Sequence, residues 1–352
     1  MDNIKILKQF NGKGEIVSIE PFGNGHINKT YLVTTTMRQY IFQCINSTAF
    51  KDIDLLMGNI AHVTRHLLSK NVFTIKFLRT IDEKYYFYDD GKYYRVYRYI
   101  DHSICHEEID SIELIKKAAE AFGDLHCNLA DLDATLLKEV IPHFHDTPKR
   151  YRDLLDAIEK NPAKRLQNVE KEIKDVEQLK DYFGLIVDAI DKKEIPLCIT
   201  HNDPKINNVL FDEETDEVKC VIDLDTVMPG SVLYDFGDAL RSLFTGNNED
   251  NPDPNTCHTN FDVYRAYLEG YWSKMKNTLN KKEVELLPYA PLILTIECGM
   301  RFLEDYLRGD VYFHTTYENH NLVRARTQIH QALDILKNID KLKEITKEIT
   351  NQ

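Results

Sequence analysis

The sequence predicts an α+β fold with two lobes: a small β-rich N-terminal lobe at residues 1–100 and a larger, mainly helical C-terminal lobe at residues 101–352. Residues 15–100 are rich in β-branched and aromatic residues, and 7 of the 19 tyrosines fall between Tyr85 and Tyr99. From about residue 101 onward, apolar residues recur at helical spacing. The chain has 352 residues, of which 43% are hydrophobic, so it can fill the core that this fold requires.

Strand signals come in pairs in the predicted N-terminal lobe. Two strands are predicted over residues 16–22 and 29–35, on either side of the glycine loop, which is residues 23–28. A third strand follows at residues 40–46. The sequence KYYFYDDGKYYRVYRYI predicts a hairpin in which Asp90 and Gly91 turn between two aromatic strands. Residues 47–69 carry apolar side chains at helical spacing, so we expect a helix that packs on this sheet.

The predicted C-terminal lobe consists of helices around one short apolar island. The apolar spacing predicts helices over residues 112–132, 149–160, 169–191, 260–279, 286–307 and 321–349. The residue pattern of the island, residues 195–225, is typical of short strands joined by tight loops.

Charge and cysteine usage limit the partners and the compartment. The net charge is 44 − 57 = −13, which makes nonspecific binding to nucleic acid or to an anionic membrane a poor expectation. The seven cysteines are dispersed and form no CxxC pair, which is typical of reduced cytosolic thiols. The longest strongly apolar stretch, residues 290–296, is far shorter than the ~20 residues that span a bilayer. We therefore expect a cytoplasmic protein with small-molecule ligands, and the sequence indicates no oligomeric state.

The island carries the residues that indicate chemistry. His201-x-Asp203 is followed after four residues by Asn208, then by an acidic turn and an apolar run that ends at Asp223. This pattern predicts a hairpin that returns Asp223 to the neighbourhood of Asn208. Phosphoryl transfer needs such a set, because one carboxylate accepts the proton of the acceptor hydroxyl while an amide and a second carboxylate hold Mg²⁺. The spacing is that of the kinase catalytic loop; the alternative is a polar loop between strands.

Two nearby features need separate assignments. Lys205 lies where protein kinases often have a lysine that reaches the transferred phosphoryl group. The triplet Asp235-Phe236-Gly237 spells the metal-binding DFG of kinases, but it follows a Pro-Gly turn and opens a predicted helix over residues 236–244. We therefore assign the metal to Asp223 and expect Asp235 to brace the catalytic loop or to cap its helix.

Three segments, HNDPKINNVLFD, CVIDLDTVMPG and YDFGDALRS, resemble the aminoglycoside and choline kinase-like phosphotransferases. Within that superfamily the chain is most similar to the N-acetylhexosamine 1-kinases, through GNGHINKTYLV, IPHFHDTPKRY and ECGMRFLEDYLRGDVYFHTTYENHNLVRARTQ. The resemblance extends over residues 15–335. It implies a bilobal protein kinase-like fold that transfers phosphate from ATP, with Mg²⁺, to the anomeric hydroxyl of N-acetylglucosamine or N-acetylgalactosamine.

The resemblance also implies residue roles. Asp203 would be the catalytic base, assisted by Lys205, and Asn208 and Asp223 would be the Mg²⁺ ligands. The glycine loop lies between two predicted strands, so its backbone N–H groups could cover the nucleotide at Gly23, Gly25 and Asn28; the alternative is a plain hairpin turn. The residues implied for the substrate are Arg301, Tyr312, His26 and Glu297, of which His26 could reach either substrate. Spacing alone leaves open that Glu297, Arg301 and Asp305 form a solvated salt-bridge ladder on one helix face.

One departure from the kinase pattern keeps alternatives open. The third strand has Gln43 and Cys44 where kinases have a lysine, and the following helix offers no evident glutamate partner. Arg38, Lys51 or Lys205 could substitute for that lysine. The alternatives are a kinase for another small hydroxyl compound, such as choline, ethanolamine, homoserine or an aminoglycoside, and a catalytically silent nucleotide-binding pseudokinase.

Overall fold

The computed structural model of the protein describes residues 3–23, 28–106, 111–246 and 249–351. Its strands are β1 (Ile16–Pro21), β2 (Lys29–Thr35), β3 (Gln39–Ile45), β4 (Phe87–Asp89), β5 (Lys92–Arg98), β6 (Ser103–Ile104), β7 (Cys198–Thr200), β8 (Val209–Asp212), β9 (Val218–Val221) and β10 (Met228–Gly230). Its helices are α1 (Asn3–Leu7), α2 (Ile53–Ser69), α3 (Ile112–Leu129), α4 (Thr147–Lys160), α5 (Glu170–Glu177), α6 (Leu185–Asp191), α7 (Val232–Phe244), α8 (Phe261–Met275), α9 (Lys281–Leu286), α10 (Ala290–Arg308), α11 (His320–Lys337) and α12 (Ile339–Thr350). This order confirms the predicted α+β class, with a β-sheet N-terminal region and a helical C-terminal part.

The chain divides into two compact units. The first unit comprises Met1–Ile104, Thr135–Pro142 and Leu210–Met228. The second unit comprises Cys105–Ala134, His143–Val209 and Pro229–Gln352. Each unit therefore combines segments that lie far apart in the sequence.

A five-stranded antiparallel sheet with the order β1-β2-β3-β5-β4 forms the centre of the first unit. The predicted aromatic hairpin is confirmed: β4 and β5 are joined by Asp90 and Gly91, which have φ angles of 47° and 75°. Positive φ at both central positions is the geometry that two-residue hairpins favour. The rings of Phe42 and Tyr94 stack at 5.6 Å in the core of this sheet.

Helix α2 begins later than predicted, and it connects distant parts of the first unit. Asp52 caps the helix by accepting a hydrogen bond from the backbone N–H of Leu55 at 2.9 Å, which fixes its start at Ile53. Buried Asn59 donates to the backbone oxygens of Lys138 at 2.7 Å and Val227 at 2.9 Å. These bonds fasten the later segments of the unit to its main helix.

The second unit is a layered set of helices. Helix α3 packs on α8, and α10 packs against α4, α7 and α11. The helical stretch Lys281–Arg308 is long and apolar enough to span a membrane by length and composition, but 83% of its apolar window is buried inside the protein. That burial is typical of the core helix of a globular protein.

Two helices predicted as continuous are interrupted. The region predicted as a helix over residues 169–191 contains α5, a 3₁₀ turn at Lys180–Tyr182 and α6, with the poor helix former Gly184 just before α6. The region predicted over residues 321–349 breaks at Asn338, whose side chain donates to the backbone oxygen of Asp334 at 2.8 Å. Such local side-chain bonds compete with helix continuation.

Candidate active site

The segment His201–Asn208, here called the Asp203 loop, is held by a buried carboxylate. Asp235 is fully buried in the first turn of α7 and accepts hydrogen bonds from the backbone N–H groups of His201 and Asn202, each at 2.7 Å. Its Oδ2 atom also lies 2.7 Å from Nε2 of His126. Burial alone would raise the pKa of Asp235, but the bond to His126 and the neighbouring positive charge lower it below the ordinary value. The predicted bracing role of Asp235 is confirmed, and the DFG triplet lies inside α7.

Within the loop, two side chains contact the Asp203 carboxylate. The Nδ2 atom of Asn208 donates to the backbone oxygen of Asp203 at 2.8 Å and to its Oδ2 at 3.3 Å. The Nζ atom of Lys205 lies 3.4 Å from Oδ1, and the Asp203 side chain is 25% exposed. The carboxylate is therefore oriented by its neighbours but remains accessible to a small molecule.

Lys205 borders a buried group of charged residues in the second unit. Buried Arg241 donates from Nε to Asp238 at 2.6 Å and from Nη1 to Glu249 at 2.9 Å. The charge of Asp203, and to a lesser extent that of Glu249, raises the pKa of Lys205 above its ordinary value despite desolvation. Lys205 is therefore a permanent cation beside the Asp203 carboxylate.

Glu297 is buried and is not part of a solvated ladder. Its carboxylate is 2% exposed, accepts a bond from the Thr147 hydroxyl at 2.5 Å and lies 2.8 Å from Nδ1 of His145. The Nε2 atom of His145 is buried and has no hydrogen-bond partner among the described residues. Asp305 is 3% exposed and accepts three backbone N–H bonds from residues 311–313. The ladder alternative is therefore wrong, because two of its three members are buried and bonded to other groups.

Arg301 lies beside two aromatic rings and a second arginine. Its guanidinium carbon is 5.2 Å from the ring centre of Phe144 and 5.4 Å from that of Phe313. Burial, followed by the positive charge of Arg301, lowers the pKa of Arg150. Tyr312 is 64% exposed, and its ring contacts that of Phe313 at 4.8 Å. Two guanidinium groups therefore lie close together beside α10, in surroundings that also hold the carboxylates of Glu297, Asp153 and Glu304.

Arg95 is a buried cation in the first unit that the sequence pattern did not lead us to predict. Arg95, in the middle of β5, is 2% exposed and forms a bidentate pair with Asp225 through Nη1 at 2.5 Å and Nη2 at 2.9 Å. Its Nε atom donates to Oε1 of Gln43, the residue directly opposite on β3, at 2.9 Å. Desolvation would lower the pKa of Arg95, but the charge of Asp225 raises it above the ordinary value. The signal in the sequence was an arginine in the middle of an otherwise aromatic, buried strand.

Asp223, Gly23 and Asn28 also belong to the first unit. Asp223 follows β9 in the left-handed conformation, with φ 56° and ψ 57°, two residues before Asp225. Gly23 has φ 71°, which favours glycine. The Asn28 side chain donates to Oδ2 of Asp225 at 2.7 Å and accepts from the backbone N–H of Asn46 at 3.0 Å. Gly25 and His26, which we predicted at the nucleotide and substrate, lie outside the described residues.

The oxygen atoms of the predicted metal ligands fit a magnesium ion that is bound together with phosphates. Among the described residues, no group of three or more His, Cys, Asp or Glu side chains could hold a metal ion. Mg²⁺ does not require such a cage, because proteins usually bind it through one or two carboxylates together with substrate phosphates. The predicted ligands, Asn208 and Asp223, offer oxygen atoms, which Mg²⁺ prefers.

Comparison with known families places the chain among the phosphotransferases. The sequence model of the Phosphotransferase enzyme family, APH, matches residues 18–271, which is more than half of the chain. This range includes the Asp203 loop, Asp223, Asp235 and the Arg95–Asp225 pair. The match supports the superfamily that the sequence resembles and does not distinguish the N-acetylhexosamine 1-kinases within it.

Solved structures with the same kinase-like fold cover almost the whole chain. A microcompartment-associated aminopropanol kinase is 15% identical, with a TM-score of 0.68 over 96% of this chain and 97% of that one. An amicoumacin kinase in complex with AMP-PNP, Ca²⁺ and Ami is 13% identical, with a TM-score of 0.60 over 97% and 94%. Choline kinase from Cryptosporidium parvum is 15% identical, with a TM-score of 0.59 over 99% of both chains. At these identities the similarity concerns the fold, and it confirms the predicted kinase-like architecture.

Replacing Asp235 will destabilise the second unit. We expect Asp235→Ala to lower the free energy of unfolding by about 3–5 kcal/mol, because the buried donors of His126, His201 and Asn202 lose their common acceptor. Asp235→Asn keeps one acceptor oxygen and will cost less. Urea unfolding measures both effects, with Asp181→Ala on the surface as a control that will change stability by less than about 0.5 kcal/mol. A wild-type unfolding curve for Asp235→Ala would contradict the bracing role.

A double-mutant cycle will show that Arg95 and Asp225 are energetically coupled. Arg95→Met leaves a buried carboxylate without its partner and should lower stability by about 3–5 kcal/mol. Because Asp225→Asn removes that uncompensated charge, Arg95→Met will cost at least ~1 kcal/mol less in the Asp225→Asn background. Urea unfolding of the four proteins gives the coupling energy. Additive costs would show that the pair is not coupled.

Proposed function

The chain belongs to the APH family of phosphotransferase enzymes, and from that premise we propose that it phosphorylates the anomeric hydroxyl of an N-acetylhexosamine, GlcNAc or GalNAc, using ATP and Mg²⁺ to form the sugar 1-phosphate. The observation that carries the proposal is the Asp203 carboxylate, which is accessible, oriented by Asn208 and paired with the cation of Lys205. We assign nucleotide covering to the N-terminal region, residues 1–100, and sugar binding to residues 101–352. We also propose a cytoplasmic location, where ATP and reduced thiols are available.

Asp203 is the proposed general base. Bonds from Asn208 to its backbone oxygen and to its carboxylate orient the side chain, and Asp235 fixes the backbone just before it. An anomeric hydroxyl is more acidic than an ordinary alcohol, so a carboxylate can accept its proton effectively. Positioning and charge complementarity account for most catalysis in this reaction class, and both are features of the Asp203 loop.

The proposed cofactor residues are those that the sequence pattern and the family resemblance indicate. Asn208, through its amide oxygen, and Asp223 would hold Mg²⁺, while Gly23, Gly25 and Asn28 would contact the nucleotide. Mg-ATP, when bound, supplies the transferable phosphoryl group. Its Mg²⁺ ion supplies positive charge that offsets the negative charge of the phosphate oxygens. Lys205 remains protonated at all working pH values and is available to stabilise the negative charge of the transferred group.

Arg95 and Asp225 are proposed as positioning residues in place of the missing lysine–glutamate pair. Their bidentate bond anchors the segment after β9, which contains Asp223, to the centre of β5. Asn28 binds the same Asp225 carboxylate, so the end of the glycine loop shares this anchor. Because Arg95 and Asp225 already bind each other, their proposed role is to hold Asp223 in its left-handed conformation.

The two neighbouring guanidinium groups beside α10 are the feature that supports a neutral acceptor. Arg301 is the proposed sugar-binding arginine, and nearby Arg150 adds a second positive charge. Glu297 is engaged by His145 and Thr147, so its charge is partly compensated. A cationic acceptor would be repelled here, whereas a neutral polyol can accept and donate hydrogen bonds and rest on the rings of Phe313 and Tyr312.

An amino-alcohol kinase is the second candidate. The observation in its favour is the structural similarity to an aminopropanol kinase and a choline kinase. The arrangement of Arg150 and Arg301 weighs against it, because an ammonium group approaching these guanidinium groups would lose electrostatic free energy.

The experiment that tests the substrate class is ADP release from Mg-ATP with a panel of acceptors, with the phosphorylated position identified by ³¹P NMR. The panel contains free N-acetylhexosamines, choline, ethanolamine, homoserine and an aminoglycoside. We expect an N-acetylhexosamine 1-phosphate. Turnover with an amino alcohol alone would replace the sugar with the second candidate. Mg-ATP binding without turnover of any acceptor would favour a pseudokinase.

Asp203→Asn should lower kcat by about 10²–10⁴-fold, because the general base is lost while the shape of the side chain is kept. The affinity for Mg-ATP, measured by calorimetry, should change by less than about threefold. Retention of most of the turnover would remove Asp203 as the base.

Arg301→Ala should raise the KM for the acceptor at least ~10-fold and leave the KM for ATP within about twofold, because Arg301 is proposed to contact the acceptor alone. The matched control is Arg308→Ala on the same helix, whose guanidinium pairs with Glu304 and Asp156. We expect the control to change neither KM. Equal increases in both KM values for Arg301→Ala would assign it a structural role.

A further inference from the structure

A basic groove lies in the first unit, built from residues that have no role in the proposed reaction. It has a volume of 790 Å³ and is lined by the turn between β2 and β3, the end of β5 and the residues after it, the segment after α2, and β9. Its charged lining residues are Arg38, Lys76, Arg98, Lys219 and Asp101. We call these five residues, together with Met37 and Phe73 at its edge, the basic groove.

Backbone hydrogen bonds fix the segments that line the groove. The backbone N–H of Arg98 donates to the oxygen of Lys76 at 3.1 Å, and that of Tyr99 donates to the oxygen of Gln39 at 3.2 Å. The Nζ atom of Lys219 donates to the backbone oxygen of Asp101 at 3.1 Å. The backbone of the lining segments is therefore preorganised, which reduces the entropy that a ligand must overcome on binding.

The groove carries more positive than negative charge, since four cations line it beside the carboxylate of Asp101. Lys219 pairs with Asp212 at 3.0 Å. Within the described ranges, no carboxylate forms an ion pair with Arg38, Lys76 or Arg98, and the buried Nε atom of Arg38 has no hydrogen-bond partner there. Three neighbouring cations repel one another, and the repulsion is relieved when an anion binds between them. This concentration of positive charge occurs in a chain whose net charge is −13.

The edge of the groove adds apolar surface. Met37 is 64% exposed and Phe73 is 55% exposed. Guanidinium groups bind phosphate oxygens in a bidentate manner, and an exposed aromatic ring can contact a flat or sugar-like group. The groove also falls within the volume range of pockets for small molecules, about 300–1,000 Å³.

We propose that the basic groove is a binding site for a small phosphorylated molecule that carries at least two negative charges. Arg38 and Arg98 bind its phosphate oxygens, Lys76 adds positive charge, and Met37 and Phe73 contact its uncharged part. The site is separate from the proposed sugar kinase reaction. Arg95, and not Arg38, takes the place of the missing lysine there, and no other residue of the groove is assigned to Mg-ATP or the acceptor.

The test uses inorganic tripolyphosphate as the probe, titrated into the full-length chain by calorimetry at about 50 mM salt with EDTA. We expect saturable binding with a Kd below about 1 mM, weakened at least ~10-fold in the double variant Arg38→Gln/Arg98→Gln. The control, Lys8→Gln/Lys92→Gln, removes two exposed lysines of the same unit and should weaken binding less than about twofold. Circular dichroism and thermal unfolding of all variants verify that they are folded.

Three outcomes would overturn the proposal. The first is no saturable binding by the wild type up to about 10 mM. The second is equal weakening in both double variants, which would indicate general attraction to positive charge. The third is unchanged binding in Arg38→Gln/Arg98→Gln, which would assign the probe to another site, such as that proposed for the nucleotide.

Discussion

The buried pair of Arg95 and Asp225 is the constraint on which the first unit's part of the proposed site depends. Removing a guanidinium and a carboxylate from water costs several kcal/mol per ion, so the pair persists only with good geometry and further hydrogen bonds. Both conditions are met, because the contact is bidentate and Gln43 and Asn28 bind the remaining polar atoms. The pair thereby connects the central sheet, the end of the glycine loop and the segment that contains Asp223.

The second unit uses the same physical device in a different place. The buried carboxylate of Asp235 accepts bonds from two consecutive backbone N–H groups and from His126, and so sets the path of the chain into Asp203. In each unit a buried aspartate organises the segment that holds the aspartate proposed for chemistry, since Asp225 lies two residues after Asp223 and Asp235 binds the backbone N–H of Asn202, next to Asp203. A carboxylate that orients its neighbours and one that reacts have different requirements, since only the second must be accessible.

Local patterns could be predicted from the sequence, and distant pairings could not. The H-x-D-x4-N spacing and the Asp90–Gly91 turn depend on residues close in the chain, so their signals are complete within a short segment. Arg95 and Asp225 are separated by 130 residues, and His145 and Glu297 by 152, so no periodicity links them. The helix breaks before Gly184 and at Asn338 depend on single residues. The spacing of apolar residues, from which the helices were predicted, does not reveal such breaks. The solvated ladder that spacing left open on α10 is wrong, because helical spacing does not show which face of the helix is buried.

The most direct test of the central claim is the Mg²⁺-dependent affinity for a non-hydrolysable ATP analogue, measured by calorimetry with Mg²⁺ and with EDTA. The comparison includes Arg95→Gln, Asp225→Asn and, as a control for lost stability on the same strand, the buried core variant Val96→Ala. If the pair positions Asp223, both pair variants will lose at least ~10-fold of the affinity gained with Mg²⁺, while Val96→Ala retains it. Full retention of the Mg²⁺ effect in folded Arg95→Gln would contradict the account.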